Sequence, residues 1–248
     1  MIACAAATRL CLAVITVVVC TGCSRAPGRP AADSAVVRPD EIVDFGLLYS
    51  QNCAGCHGAD GKGGAAIALA NPVYLAIADD TAIRGAVTNG VPATAMPAFA
   101  QSAGGMLTDK QVGALVSGIR SWARPDVLYN VTPPPYSSQT PGDPKHGASV
   151  YATYCSSCHG LNGQGGSKAS SIVDGAYLAL VSDQELRTIV IAGRPELGAP
   201  DWRNDVPGRP MSPQEVSDVV AWLSAHRPQF PGQPYPIAST ERDKEGVR

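Results

Sequence analysis

Two short stretches of this chain carry reactive residue types at a spacing that restricts their chemistry. Residues 53–57 read Cys-Ala-Gly-Cys-His, and residues 155–159 read Cys-Ser-Ser-Cys-His. Two thiols one helical turn apart can add to the two vinyl groups along one edge of a porphyrin. The adjacent histidine is then held under the ring as an axial iron ligand. Cys-x-x-Cys-His is the attachment signature of c-type haem. A structural zinc site would need four ligands gathered together, whereas these two pairs stand 102 residues apart (53 to 155) and each has its own histidine. A dithiol redox pair has no need of His57 or His159. The expectation is two covalently bound haem c groups, held by Cys53 and Cys56 and by Cys155 and Cys158. His57 and His159 are the expected proximal iron ligands.

The other four of the eight cysteines, Cys4, Cys11, Cys20 and Cys23, fall at the start of the chain. Leu10 to Val19 is nearly all apolar but too short to span a bilayer as a mature helix. Arg9 precedes this run and Thr21-Gly22 follows it, the layout of a signal peptide over residues 1–22. Cys20-Thr21-Gly22-Cys23 resembles a bacterial lipoprotein lipobox, with Cys20 where leucine is usual. The resemblance implies lipidation of Cys23; the rival is an ordinary signal cut nearby and a soluble periplasmic protein. With 19 Lys+Arg against 21 Asp+Glu, net −2, there is no basic footprint for nucleic acid.

The elements that must position the motifs occur twice. Tyr49, Cys53, Cys56, His57, Gly58, Gly61, Gly63 and Gly64 recur 102 residues later, from Tyr151 to Gly166. Arg84, Gly90, Pro92 and Pro97 recur at offset 103 as Arg187, Gly193, Pro195 and Pro200. At offset 104, Val112, Leu115, Val116 and Ile119 match Val216, Val219, Val220 and Leu223. That last set steps i, i+3, i+4, i+7, one apolar face of a helix. Each copy reads as a helix running into its motif (Asp40–Cys56, Gly147–Cys158), a Gly-rich loop, a short helix capped by Asp79 or Ser182, a Pro-rich loop and a final helix. Capping boxes are expected at Thr108 with Gln111, at Ser182 with Glu185, and at Ser212 with Glu215. The fold class is therefore all-α in two tandem domains, 40–130 and 146–227. Residues 23–39 form a flexible tether, 131–145 a semi-extended Pro-rich linker, and 228–248 a disordered tail.

Both copies resemble class I cytochrome c, over about 40–124 and 146–227. The resemblance rests on the two Cys-x-x-Cys-His-Gly stretches and on Met96-Pro97-Ala98-Phe99. In that family a domain of this size wraps a porphyrin, which supplies apolar mass that so small a core lacks. It implies Met96 as the sixth ligand of the first iron; Met106, just before the last helix, reads as a packing residue. At offset 103 the second copy has Ala199 where the first has Met96, and Trp202 where the first has Phe99. Met211 is the only methionine left there and is the expected second sixth ligand, although the +104 register pairs it with Leu107. The alternatives are His146, His226 or no sixth ligand. Arg84 and Arg187 read as solvated helical arginines, and Trp122 and Trp222 as packing on the first helices. The resemblance implies an exported dihaem cytochrome c carrying single electrons between respiratory redox proteins or membrane complexes, anchored by lipid on the periplasmic side. Rivals are a dihaem peroxidase-like enzyme and a fixed relay subunit of a quinol-oxidising, dehydrogenase or oxidase complex.

Overall fold

The computed structural model describes residues 37–203 and 206–228; the signal segment, Cys23 and the tail beyond 228 lie outside them. Among the described residues there are ten α-helices and no strand, only isolated bridges at Ala100–Leu107 and Arg194–Ala199. Residues 37–42 belong to a separate unit, in which Pro39–Glu41 makes a 3-10 turn and Arg38 pairs with Glu41 at 2.8 Å.

In the first copy α1 is Phe45–Asn52, α2 Ala54–His57, α3 Pro72–Ile77, α4 Asp80–Asn89 and α5 Asp109–Arg120. In the second, α6 is Pro144–Tyr154, α7 Ser156–His159, α8 Gly175–Leu180, α9 Asp183–Ala192 and α10 Pro213–Ser224. The sequence pattern anticipates one continuous helix into each motif. Instead the chain kinks at Cys53 (φ −120) and Cys155 (φ −116), each of which ends one helix and starts the next. The starts also move. Asp44 caps α1 by accepting from Leu47 N at 2.7 Å, and Pro144 opens α6, where a fixed φ and a missing N–H cost nothing.

Helices α3 and α8 are additional to the expected set. Asn71 Oδ1 accepts from Val73 N and Tyr74 N, and Asp174 Oδ1 accepts from Ala176 N and Tyr177 N. The other N-caps fall at the expected residues, but the box expected at Ser182 with Glu185 closes only from the serine side. Asp79 accepts from Ala82 N at 2.7 Å and Ser182 from Glu185 N at 3.1 Å. The boxes at Thr108–Gln111 and Ser212–Glu215 are closed in both directions. Each cap is worth about 1 kcal/mol. No described helix is long and apolar enough to cross a membrane.

The first and last helices of each copy pack together. Val112, Leu115, Val116 and Ile119 of α5, and Val216, Val219, Val220 and Leu223 of α10, are all buried. Trp122 meets Phe45 and Tyr49 edge-on, with ring centroids 5.3 and 5.2 Å away. Trp222 stacks on Tyr151 at 4.2 Å. The contacts between the helices differ in one respect. In the first copy Gly118 of α5 makes room for Phe45, whose ring lies 2.0 Å from where a Cβ on Gly118 would stand. In the second copy the small residue is on the other helix: a Cβ on Gly147 of α6 would meet Asp218 O at 2.1 Å and Trp222 Cβ at 2.8 Å.

Both copies fall within one unit, and their buried apolar residues form a continuous core from Leu48 and Leu115 through Ile191, Trp202 and Met211. The Pro-rich segment between them lies along the second copy. Pro134 is fully buried, Ser138 bonds Ser217 at 3.0 Å, Thr140 donates to Gln214 at 2.6 Å, and Asp143 N donates to Asp218 at 2.7 Å.

Candidate haem-binding sites

Each motif is a single short helix, with its first cysteine at the kink and its histidine at the end. Tyr49 Oη donates to Gly58 O at 2.9 Å, and Tyr151 donates to Gly160 O in the second copy. Gly58 has φ +82, and a Cβ there would stand 1.7 Å from Lys62 O, so the chain can reverse beneath the motif only at glycine. The returning loop bonds Ala66 N to Cys56 O at 2.9 Å. That return presents the Ile67 carbonyl to His57 Nδ1 at 2.8 Å, and the Ser170 carbonyl lies 2.9 Å from His159 Nδ1. A carbonyl only accepts, so the proton of each neutral imidazole sits on Nδ1 and the Nε2 lone pair is bare. Iron-ligating histidines are oriented in this way.

The thiols fit attachment better than the alternatives. Cys53 is buried while Cys56 and Cys158 are exposed. Burial, then the neighbouring Cys56, push the Cys53 pKa up to about 11, the reverse of an activated redox thiol. Among the described residues no three His, Cys, Asp or Glu side chains gather as a metal cluster would require. His57 is buried, which lowers its pKa below 6.5; the Ile67 bond opposes this and the charge of Arg194 adds to it. The net effect favours the neutral, ligating form. The donor set, two thiols and one Nδ1-protonated histidine per copy, fits covalent haem c.

Met96 is partly buried, and its carbonyl accepts from Val91 N at 3.0 Å. Met106 does not pack as expected: it is 83 % exposed, and the buried residue before α5 is Leu107. In the second copy Arg194 N donates to Ala199 O at 2.9 Å, so Ala199 takes the backbone place of Met96. Met211 is buried, and its N donates to Trp202 O at 2.9 Å, as Leu107 N donates to Phe99 O at 2.7 Å. His146 and His226 are exposed; His146 Nδ1 bonds the buried Asp218 at 2.7 Å and His226 Nδ1 bonds Trp222 O at 2.8 Å. Arg84 is exposed as expected, but Arg187 is not solvated. It donates to Pro135 O, Tyr136 O and Ser217 Oγ, and so holds the connecting segment.

Residues that join the copies carried no sequence signal. Arg194 donates to Gly64 O in the first motif's loop at 2.8 Å while pairing with Glu196. Buried Asn71 caps α3 with Oδ1 and, with Nδ2, donates to Ala192 O at 3.0 Å and Gly193 O at 3.4 Å. Its counterpart Asp174 has the cap but no amide to donate. Asn71→Asp should keep α3 capped yet turn a carboxylate toward two carbonyls. We expect a loss of about 1–3 kcal/mol, read as a lower denaturant midpoint, with Asn71→Gly separating the cap from the cross-link.

A family model described as "Cytochrome C oxidase, cbb3-type, subunit III" matches the chain twice, over residues 42–117 and 142–223. Among solved structures, a reducing HAO-like protein complex of Kuenenia stuttgartiensis is similar at 18 % identity and a TM-score of 0.43, over 78 % of this chain and 100 % of that chain. The as-isolated thiosulfate dehydrogenase from Marichromatium purpuratum is similar at 21 % identity and a TM-score of 0.30, over 84 % of this chain and 51 % of that chain.

Proposed function

Because this chain belongs to the cbb3-type cytochrome c oxidase subunit III family, with one match in each copy, we propose that it is an exported dihaem cytochrome c that carries single electrons between respiratory redox proteins. The observation that supports this reading most directly is the pair of histidines whose Nδ1 is committed to a carbonyl, Ile67 O or Ser170 O. Bound haem c supplies one-electron exchange between ferrous and ferric iron. The four motif cysteines fix it covalently. His57 and His159 offer Nε2 to iron, and the carbonyl bonds keep each ring from turning. Met96 brings a neutral thioether to the first site. The burial of His57 favours its neutral, ligating form.

In this reading residues 1–22 are removed and Cys23 carries lipid, which holds the carrier on the periplasmic face. The support is the sequence of that segment alone. The test is the intact protein: two haems per chain by haemochrome assay, two one-electron waves on redox titration, and reduction and reoxidation by small redox proteins. Sustained peroxide consumption would favour an enzyme instead. An intact mass starting at Cys23 without added lipid would remove the anchor.

The family description itself favours a second reading, a relay subunit fixed in an oxidase-type complex. Co-purification with a membrane complex after mild detergent extraction separates it from a diffusing carrier.

A further inference from the structure

We propose that the second haem site keeps an open sixth position and binds a small neutral π-acceptor ligand, carbon monoxide or nitric oxide, on ferrous iron. The inference rests on the reading that both motifs carry haem.

The two loops share their closing bond, although Met96 N turns to Thr94 Oγ1 (3.2 Å) where Ala199 N bonds Arg194 O (3.0 Å). Val91 N to Met96 O (3.0 Å) corresponds to Arg194 N to Ala199 O (2.9 Å). Gly90 and Gly193 both have φ +67, and both lie under the following loop: a Cβ would stand 2.6 Å from Ala98 N in one and 2.7 Å from Asp201 N in the other. The aromatic residue that closes the loop donates its N–H to the end of the preceding helix in each copy, Phe99 to Val87 O and Trp202 to Ile191 O. The place that holds a thioether in the first copy therefore holds a methyl group in the second, and a methyl group has no lone pair.

Met211 does not replace it. Its bond to Trp202 O is the bond Leu107 makes to Phe99 O, and each residue directly precedes a closed capping box, at Thr108 or Ser212. Met211 is 2 % exposed and Leu107 6 %. The extra residue of the second loop lies before Met211 and leaves its station unchanged. Met211 thus has the role of an aliphatic core residue.

The remaining donors face elsewhere. His146 is bound to Asp218, and lies nine residues before Cys155 on α6, about 14 Å along the helix axis. His226 lies against the Trp222 ring, 4.5 Å between centroids, and that ring reaches Gly163, in the loop that follows His159. Lys168 belongs to the same loop. His226 and Lys168 thus go with the loop whose Ser170 carbonyl holds His159, and His146 is held by Asp218.

The experiment uses the full-length holoprotein reduced with dithionite and titrated with carbon monoxide, binding being read from the Soret shift. With two haems per chain by haemochrome assay, we expect one carbon monoxide per chain. Ala199→Met should reduce this to none, and Met211→Leu should leave it at one. No binding by wild type with both haems present overturns the inference; if Met211→Leu then gains binding, Met211 is the ligand. Unchanged stoichiometry in Ala199→Met also overturns it. A haem count below two is a separate readout and removes the dihaem reading beneath it.

Discussion

Cys53→Ala/Cys56→Ala protein is expected to carry one covalent haem instead of two and to lose the cooperative folding of its first copy. The substitution itself removes little. Cys56 is exposed, and Cys53 is a small buried side chain in a core that keeps Leu48, Tyr49 and Leu115. The effect comes from what the thiols hold. The chain has only three Phe and three Trp, and a domain of this length buries too little apolar surface to be secure alone. Losing the attached group should remove stability on the order of 5 kcal/mol, most of what a small domain has. Because Ile191, Trp202 and Met211 share a core with the first copy, the remaining copy should also melt earlier. Haemochrome stoichiometry and a melt followed at the Soret band report the two effects. A variant that keeps two haems, or one that melts like wild type, would contradict the argument.

Arg187→Leu should release the segment between the copies. Arg187 is buried, and burial pushes its pKa below the ordinary guanidinium value, yet its charge is shared among Pro135 O, Tyr136 O and Ser217 Oγ. Leucine fills part of the volume but leaves Pro135 O without a donor. Leaving a buried carbonyl unsatisfied costs about 1–3 kcal/mol. Tyr136 O keeps its bond from Gln184 (2.8 Å), so the segment should loosen chiefly at Pro135. The expected readout is a lower urea midpoint together with new protease cleavage between 131 and 142. Arg84→Leu, at the repeat-related but exposed position, should change stability by less than about 0.5 kcal/mol.

That contrast shows what the sequence could carry. Arg84 and Arg187 align in the repeat, and nothing local distinguishes them; only the chain folding back at Pro134 buries the second. The motifs, caps and apolar faces were legible because their signals are short-range: a turn of helix, three residues of a box, a seven-residue stripe. The kinks at Cys53 and Cys155 were not, since they answer to the Tyr49–Gly58 and Tyr151–Gly160 bonds across the loop. Helices α3 and α8 are six residues each, too short for periodicity to show. Met106 and Leu107 are neighbours, and which one turns inward depends on the bond from Leu107 N to Phe99 O. An arginine closes each copy on the same three stations, although the two do not align. Arg120 reaches Leu75 O, Ala78 O and Asp80; Arg227 reaches Leu178 O, Val181 O and Asp183. Only geometry relates them.

The exchanged large and small residues where the first and last helices meet bear on how two homologous halves avoid mixing during folding. Tandem repeats of one fold are prone to pairing an element of one with the partner element of the other. Here α1 docked on α10 would bring Phe45 against Trp222, in a space that admits only the hydrogen of Gly147. Helix α6 docked on α5 would face Gly147 with Gly118 and leave a void. One mispairing is overfilled, at a cost of about 1–3 kcal/mol, and the other is hollow. A single swap of a bulky residue and a glycine across one contact thus tells each N-terminal helix which C-terminal helix is its own.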